Sequence, residues 1–474
     1  MKIPIHPIQR VTINCASSQF RPGRARLLPS QPIRLKAARR EPRPTKTCAI
    51  INDAVYNKPL SLPSPRFAGR GWPQAGRGVR VKTSLKHYIG FAACAALLLL
   101  AAGARGGTPP SGPHPSDISF CNEVQHAIDK GLSWLQTNQN TNGYWSTADQ
   151  PAVTALALTA FMGEPSGHYQ SHPSPAIERG YKFIAANAKP DGSIYGKGLQ
   201  NYNTAICMMG LIAARNPQFD PLLLRGRQWL ISQQVHLNEN GKTNSPLDGG
   251  VGYGDHGPYS DMNNTMTALE ALYYSKYKYM DADKSMTGGK DLNWAAAIHF
   301  IQSCQNLPAY NKEPWVSDDA RDKGGFVYFP GNSKAGSFTN AQGRVALRSY
   351  GSISYAGLLS YIYADLQHDD PRVQAAFDWL RNNYTLDENP GMGRQGLYYY
   401  MHLMTKALAI YGVDQLATAN GKAVDWRKDV AMKLINLQKA DGSWVNDNGR
   451  WWEHDPALVT SYSLMSLEIL YPQL

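Results

Sequence analysis

Gln139-Asn-Thr-Asn-Gly143-Tyr-Trp145 and Gln438-Lys-Ala-Asp-Gly442-Ser-Trp444 are two copies of one short motif, Gln-x-x-x-Gly-x-Trp. Each copy follows an amphipathic stretch with helical periodicity and precedes another such stretch. A loop of this kind that recurs between helices indicates a repeat of helical hairpins. Such repeats decide the architecture, because a repeated unit cannot bury its apolar face alone and must stack on its neighbours.

From residue 120 the chain divides into six hairpins, each made of a predicted outer helix, a loop and a predicted inner helix. The outer helices are amphipathic, and the inner helices are more apolar, with small residues where helices would pack closely. The predicted helices span 122–138, 149–163, 175–188, 201–215, 220–235, 260–277, 291–305, 346–364, 371–384, 396–412, 425–438 and 455–470. Because neither end carries a polar capping unit, we expect the array to close on itself. The predicted fold class is all-α, a single (α/α)6 toroid over residues 120–474.

Three further loops match the motif in part. They are Asp191-Gly192-Ser193-Ile194-Tyr195, Gly250-Val251-Gly252-Tyr253 and Gly325-Phe326-Val327-Tyr328, each with its tyrosine aligned to the tryptophan of the full motif. The glutamine can bond unpaired carbonyls at a helix end, and the glycine permits a positive φ just past that end. The aromatic side chain can cover the junction. We therefore interpret the motif as structural rather than catalytic.

The positive charge of the chain is confined to its N-terminal part. Residues 1–104 contain 18 basic and 2 acidic side chains, which leaves 30 basic and 34 acidic side chains in the rest. The folded part is therefore mildly acidic, so we expect no nucleic-acid partner for it. Residues 1–80 are rich in Arg, Pro, Ser and Gly, and we expect this leader to be disordered, or not translated at all.

Residues 81–104 have the order of a secretory signal: a basic start, an apolar run over 91–104, and the ending Ala102-Gly103-Ala104. Because a signal normally begins a protein, its position predicts a mis-assigned start, with Val81 as the first residue. The alternative is an uncleaved anchor that contacts the membrane through residues 88–104. Either way we expect export, with residues 105–119 as a proline-rich linker.

Over residues 120–474 the chain resembles the prenyltransferase/squalene-cyclase repeat superfamily, because its loops and helix pairs match that pattern. The resemblance implies an (α/α)6 toroid with a central cavity, as in triterpene cyclases and protein prenyltransferases. The residues that perform the chemistry of these two enzyme classes are not found in this sequence. The cyclase Asp-x-Asp-Asp acid is absent, and Asp318-Asp319 with Asp322, and Asp369-Asp370, fit a solvated loop and a helix start better. An Asp-x-Cys pair for the prenyltransferase zinc is also missing, so we expect neither metal nor cofactor.

The resemblance places a cavity among the first turns of the inner helices. His402 and Arg348 are the candidate catalytic residues, because cationic groups beside aromatics suit a cavity that handles a polyprenyl chain or a carbocation. The candidate ligand contacts are Tyr350, Tyr355, Tyr398, Tyr399, Asp261, Asn264 and Asp455. Some of these also suit structural roles: Asp455-Pro456 is a sound helix start, and a lone histidine on an inner helix is often a hydrogen-bonded core residue.

Two function classes follow from this pattern. The first is an exported toroid whose cavity binds, and if catalytic transforms, an isoprenoid or other apolar ligand. The alternative is a non-catalytic envelope scaffold that uses the toroid and its long loops, 236–259 and 306–345, for protein or glycan contacts. The missing acid and zinc motifs favour the second class, and fold alone does not decide between them. The sequence leaves the ligand and the oligomeric state open.

Overall fold

The computed structural model of the protein describes residues 115–236, 245–254, 259–279, 291–340 and 343–474. The leader, the signal-like segment at 81–104 and most of the linker lie outside the described residues, so those expectations stay predictions. No helix within the described ranges is long and apolar enough to cross a membrane.

Thirteen α-helices form the described part. In chain order they are α1 Pro115–Thr137, α2 Pro151–Gly163, α3 His168–Ser171, α4 Pro175–Ala186, α5 Gln200–Ala213, α6 Asp220–Ser232, α7 Met262–Tyr279, α8 Trp294–Ser303, α9 Gly351–Tyr363, α10 Pro371–Asn382, α11 Leu397–Tyr411, α12 Trp426–Leu437 and α13 Pro456–Leu470. Apart from the short α3, they correspond one to one with the twelve predicted helices.

The helices form two concentric layers. The inner helices are α2, α5, α7, α9, α11 and α13, and each packs against the inner helices of the two neighbouring hairpins. Helix α13 also packs against α2, which closes the ring. Burial separates the layers, because α9 buries 12 of its 13 residues whereas the outer helix α10 buries 4 of its 12. The predicted six-hairpin toroid is therefore observed.

A repeated glutamine contact joins four of the six hairpins to the next one. The side-chain amide of Gln139 donates to the carbonyl of Gly143 at 2.9 Å, within its own loop, and to that of Ala176 in α4 at 2.7 Å. Gln438 donates to Gly442 and, across the closing seam, to Ala127 of α1, both at 2.9 Å. The glutamine thus links two hairpins, rather than only capping its own helix as predicted.

Hairpins three and four repeat this link without carrying the full sequence motif. Gln234 donates to the carbonyls of Gly249 and Asn293, and Gln305 donates to those of Gly324 and Arg372. Gly249 has φ +92°, and a Cβ there would lie 1.9 Å from the carbonyl oxygen of Ala296 in α8. Only glycine fits a position that combines this backbone conformation with such a close approach.

The residue two positions after each loop glycine fills the hairpin junction. Trp145 and Trp444 are fully buried, and their indole N–H groups donate to the carbonyls of Leu135 and Leu434 at 2.7 and 2.8 Å. In hairpins two, three and four this position holds Ile194, Val251 and Phe326, whose backbone N–H groups donate to inner-helix hydroxyls. The sequence alignment was therefore wrong for Tyr195, Tyr253 and Tyr328, which come one or two residues later.

The structure also contains two small antiparallel β-hairpins, which the all-α prediction did not include. Strand β1, Ser337–Thr339, pairs with β2, Val345–Leu347, and strand β3, Leu416–Ala417, pairs with β4, Ala423–Val424. Because β2 uses the residues where an inner helix was predicted to start, α9 begins at Gly351 instead of 346. Helix α1 begins at Pro115, so the last residues of the predicted linker are helical.

Candidate functional site

The inner helices all begin at the same end of the ring, because every hairpin runs from outer helix through loop to inner helix. At this end lies a tyrosine-rich group that we call the mouth cluster. Its members are Tyr202, Tyr253, Tyr259, Asp261, Asn263, Asn264, Tyr328, Tyr350, Tyr399 and Tyr462. They come from the inner helices of hairpins two, three, five and six and from the loops of hairpins three and four.

Asp261 is the charged centre of the mouth cluster. Its carboxylate is fully buried and accepts hydrogen bonds from the backbone N–H of Asn264 at 2.9 Å and from the Asn264 side-chain amide at 2.7 Å. Burial raises the pKa of Asp261 to about 6, although hydrogen bonds from Asn264 and the charge of Lys334 act in the opposite direction. The Asp261 carboxyl group therefore ionises at a higher pH than an exposed aspartate does.

Several tyrosine hydroxyls lie close enough to this carboxyl group to be affected by its charge. The Asp261 charge raises the pKa of the hydroxyls of Tyr253, Tyr259, Tyr328 and Tyr350, in each case after burial as the main cause. The hydroxyls of Tyr253 and Tyr328 lie 3.4 Å apart, and the Lys334 ammonium lies 4.4 Å from the centre of the Tyr328 ring. The cluster therefore offers ring faces and hydroxyl groups together.

Two polar contacts cross the lumen, one in the mouth and one beneath it. The Tyr399 hydroxyl donates to Asn263, and the Lys406 ammonium donates to Glu270 at 2.8 Å. Each contact joins α11 to α7, which are not neighbours in the ring because α9 lies between them. On each helix, seven residues separate the two contacts, which corresponds to about 10 Å along the helix axis. The lumen is thus bridged by polar pairs, which differs from the apolar, aromatic-lined cavity that the sequence suggested.

His402 lies beneath the mouth cluster. Its ring stacks on Tyr462 with centroids 5.4 Å apart, and the Ser466 hydroxyl lies 3.4 Å from its Nδ1. Burial and the nearby Lys406 hold the pKa of His402 well below its usual value, so the imidazole is neutral near pH 7. Arg348 lies in the long loop of hairpin four, where it pairs with Asp322 at 2.8 Å and covers the Phe338 ring. The contacts of these two candidate catalytic residues do not overlap.

The remaining sequence candidates divide into two groups. Asp261, Asn264, Tyr350 and Tyr399 meet in the mouth cluster. Tyr355 instead packs against Tyr400, with ring centroids 5.6 Å apart. The other two serve elsewhere: Tyr398 lies near Glu453 and Arg394, and Asp455 caps α13 and accepts a hydrogen bond from Ser146 across the seam at 2.6 Å.

A short segment after the last loop borders the mouth. The Glu453 carboxylate accepts from the backbone N–H of Tyr399 at 2.7 Å and from the Asn446 side chain at 2.7 Å, so it caps the first turn of α11. Burial raises the pKa of Glu453 to about 7. Just before it, Trp451 and Trp452 adopt φ of +54° and +71°, and Trp451 is 41% exposed.

Sequence reasoning missed much of this site. Tyr253 and Tyr328 were assigned to the repeat motif, although both stand four residues after the loop glycine, a position that other hairpins fill with different residue types. This spacing from the loop glycine is the sequence feature that could have identified the two tyrosines as members of the site. Tyr202 and Tyr462 lie on inner helices, where an aromatic residue does not stand out from the core. Nothing in the sequence marks the backbone conformation of Trp451.

A separate surface groove of about 440 Å³ lies between α1 and α12. It is lined by residues that include Glu123, His126, Lys130 and Ile435, and it is shallow and open to solvent. Within the described ranges, no group of three or more His, Cys, Asp or Glu side chains could hold a metal ion.

Solved structures resemble this chain, whereas no family model and no curated protein matches it. The type II terpene cyclase MstE from Scytonema is 12% identical, with a TM-score of 0.45, and the match covers 75% of this chain and 99% of that chain. The α-1,6-mannanase GH76A of Salegentibacter sp. HEL1_6 is 10% identical, with a TM-score of 0.46, over 73% and 99% of the two chains.

A family 76 glycoside hydrolase from a bovine Bacteroides thetaiotaomicron strain is 11% identical, with a TM-score of 0.44, over 73% and 77% of the two chains. One MstE variant was solved with geranylgeranyl dihydroxybenzoate, and a GH76A variant was solved with α-1,6-mannotriose. At these TM-scores the likeness carries no argument about the site, so the toroid assignment rests on the ring closure.

Proposed function

We propose that this chain is a ligand-binding toroid whose binding site is the mouth cluster, which the buried carboxyl group of Asp261 holds in place through Asn264. The observation that carries the proposal is that tyrosines from different hairpins meet beside this fully buried carboxyl group. The hydroxyls of Tyr253 and Tyr328 lie 3.4 Å apart, and the backbone N–H of Met262, the residue after Asp261, donates to the Tyr328 carbonyl at 2.9 Å. A buried carboxyl group whose pKa is raised by burial costs stability when it ionises, and such costs are common at functional sites. Asp261 also caps the first turn of α7 through Asn264, but an asparagine would do so without a charge.

The polar lining favours a ligand with hydroxyl or amine groups over a wholly apolar one. Several members of the cluster, among them Tyr202, Tyr253, Asn263 and Tyr399, are only partly buried, so the mouth has accessible surface. A hydrocarbon chain placed against these groups would desolvate them without bonding them, at roughly 1–3 kcal/mol for each group. An isoprenoid therefore fits only if it carries polar groups that reach the mouth.

Two wider expectations are part of the same proposal. The signal-like residues 81–104 support export of the protein. The closed ring and the shared glutamine, glycine and tryptophan contacts support kinship with prenyltransferase/squalene-cyclase repeats. We propose binding rather than catalysis, because the partners of the candidate catalytic residues do not include Asp261. His402 lies beside Ser466, and Arg348 pairs with Asp322.

Thermal melting with a panel of compounds tests the proposal. The panel contains neutral oligosaccharides, polyprenyl diphosphates and alkylamines, each at a concentration well above the expected Kd. At least one class should raise the Tm of the wild-type protein, because a ligand that binds only the folded state stabilises it. The same class should have little effect on Asp261→Asn, which removes the charge while keeping the shape of the side chain.

Asp318→Asn is the matched control. Asp318 is an exposed aspartate in the hairpin-four loop, with 58% of its side chain accessible, and it lies outside the mouth cluster. This variant should respond to the ligand as the wild type does. A panel without any stabilising compound, or equal stabilisation of Asp261→Asn and the wild type, would overturn the proposal.

A further inference from the structure

The backbone at Trp451 and Trp452 is strained. Both residues adopt φ values in the left-handed region, +54° and +71°, which disfavours bulky side chains. Trp452 is buried, but Trp451 leaves 41% of its surface exposed. Strain that holds a large aromatic side chain in solvent is unusual, and strained residues concentrate at binding and catalytic sites.

The exposed indole lies beside the mouth cluster. A Cβ built on Gly396 would lie 2.8 Å from the Trp451 ring, so the indole rests on the residue that precedes α11. Three residues later in the chain, Tyr399 reaches Asn263 in the mouth. Gly396 and Tyr399 are therefore separated by less than one helical turn, which is about 5 Å along the helix axis.

The guanidinium of Arg450 lies 4.8 Å from the centre of the Trp451 ring. Two residues after Trp451, the Glu453 carboxylate accepts a hydrogen bond from the backbone N–H of Tyr399, a mouth tyrosine, at 2.7 Å. Trp451 and Arg450 thus form a rim that borders the mouth cluster.

Resting on the proposed function, we propose that the ligand is a neutral saccharide, one sugar ring of which stacks on Trp451 while sugar hydroxyls bond the partly exposed Asn263 and Tyr399. A sugar ring has an apolar face of C–H groups and an edge of hydroxyls that both donate and accept hydrogen bonds. The rim supplies a flat indole and the Arg450 donors, and the accessible part of the mouth supplies amide and tyrosine hydroxyl groups. These two sets of groups match the two faces of a sugar.

An isoprenoid diphosphate fits the same surface less well. Its tail would cover tyrosine hydroxyls and Asn263 without bonding them. Its diphosphate would bring negative charge toward Asp261 and Glu453, both of which are buried carboxyl groups. A neutral saccharide avoids both costs.

Isothermal titration calorimetry with neutral disaccharides and trisaccharides of glucose, mannose, galactose and N-acetylglucosamine tests the inference. Geranylgeranyl diphosphate is the comparison ligand. At least one saccharide should bind the wild-type protein, and Trp451→Ala should weaken its binding by about tenfold or more, as expected for a central aromatic contact. Tyr310→Ala is the matched control, because Tyr310 is also exposed, at 38%, but lies in the hairpin-four loop. It should bind as the wild type does.

Trp451→Gly separates a binding role from a structural one. Glycine relieves the left-handed strain but also removes the buried part of the indole, so this variant should melt close to the wild-type temperature while losing saccharide binding. A lower melting temperature with unchanged binding would show that Trp451 is structural, and the inference would fail.

The outcomes also distinguish this inference from the proposed function. Binding of geranylgeranyl diphosphate or an alkylamine that Asp261→Asn abolishes and Trp451→Ala leaves intact would keep the mouth as a site but reject the saccharide. The absence of any ligand sensitive to Asp261→Asn would reject both.

Discussion

The loops within the hairpins and the mouth of the ring lie at the same end of the inner helices, yet they are built differently. In the loops, Gln139, Gln234, Gln305 and Gln438 make the same pair of hydrogen bonds in four hairpins. In the mouth, hairpins two, five and six contribute one tyrosine each, hairpin four contributes two, and hairpin three contributes several groups of different kinds. Contacts repeated in most units hold the ring together, and contacts that only some units supply are the ones available for binding.

The strongest test of this contrast is a glycine in a loop. Gly249→Ala places a methyl group about where the Ala296 carbonyl oxygen lies, so it should cost more than roughly 3 kcal/mol in the free energy of unfolding. Gly421→Ala is the matched control, because Gly421 also has positive φ, +74°, but no atom within 4 Å of a built Cβ. It should cost only about 1 kcal/mol. Chemical denaturation measures both, and equal losses would show that the loop packing is not what restricts Gly249.

A buried carboxyl group far from the mouth gives an effect that depends on pH. Glu468 on α13 is buried near Glu164, and burial followed by that charge raises its pKa well above the usual value. Such a group stabilises the folded state below its unfolded pKa, and this stability is lost as pH rises through the folded pKa. Glu468→Gln should therefore gain stability relative to the wild type as pH rises from 4 toward 8.

Melting temperatures across that pH range check this expectation. Each pKa unit corresponds to about 1.4 kcal/mol, so the difference between Glu468→Gln and the wild type should reach several degrees. The exposed Glu388, changed to Gln, is the control and should give a curve parallel to the wild type. A constant offset for Glu468→Gln at every pH would contradict the burial argument.

The smallest effect concerns two neighbouring tyrosines. Tyr399→Phe removes the hydrogen bond to Asn263 in the mouth, and Tyr400→Phe removes one to the Thr385 carbonyl, which measures 3.0 Å. Each should cost about 1 kcal/mol of stability. Only Tyr399→Phe should also weaken ligand binding in calorimetry. If both variants bind the ligand equally well, Tyr399 does not belong to the binding site.

The ring was predictable because its signals are local and repeated. Helical periodicity marks each element, and the two full motifs mark the seam where α13 meets α2. The mouth was predictable only in part. Asp261 was found because it starts an inner helix, but its burial depends on tyrosines brought in by the loops of other hairpins.

Other features could not be predicted, because the stretches of sequence that form them are too short or match a pattern too loosely. Strands β1 and β2 are three residues each, too short to show alternation, and they displaced the start of α9. Tyr253 and Tyr328 matched the motif loosely enough to be assigned to it. The left-handed backbone at Trp451 depends on the contacts of Trp452 and Glu453, which only the folded chain supplies.

Hydrogen–deuterium exchange, with and without the panel compound that most raises the Tm, tests most directly whether the unrepeated mouth is where a ligand binds. The account predicts slower exchange in peptides that cover residues 259–264, 396–400 and 449–453, and none in the groove between α1 and α12. Slower exchange confined to that groove, or no change in the mouth peptides on binding, would contradict it.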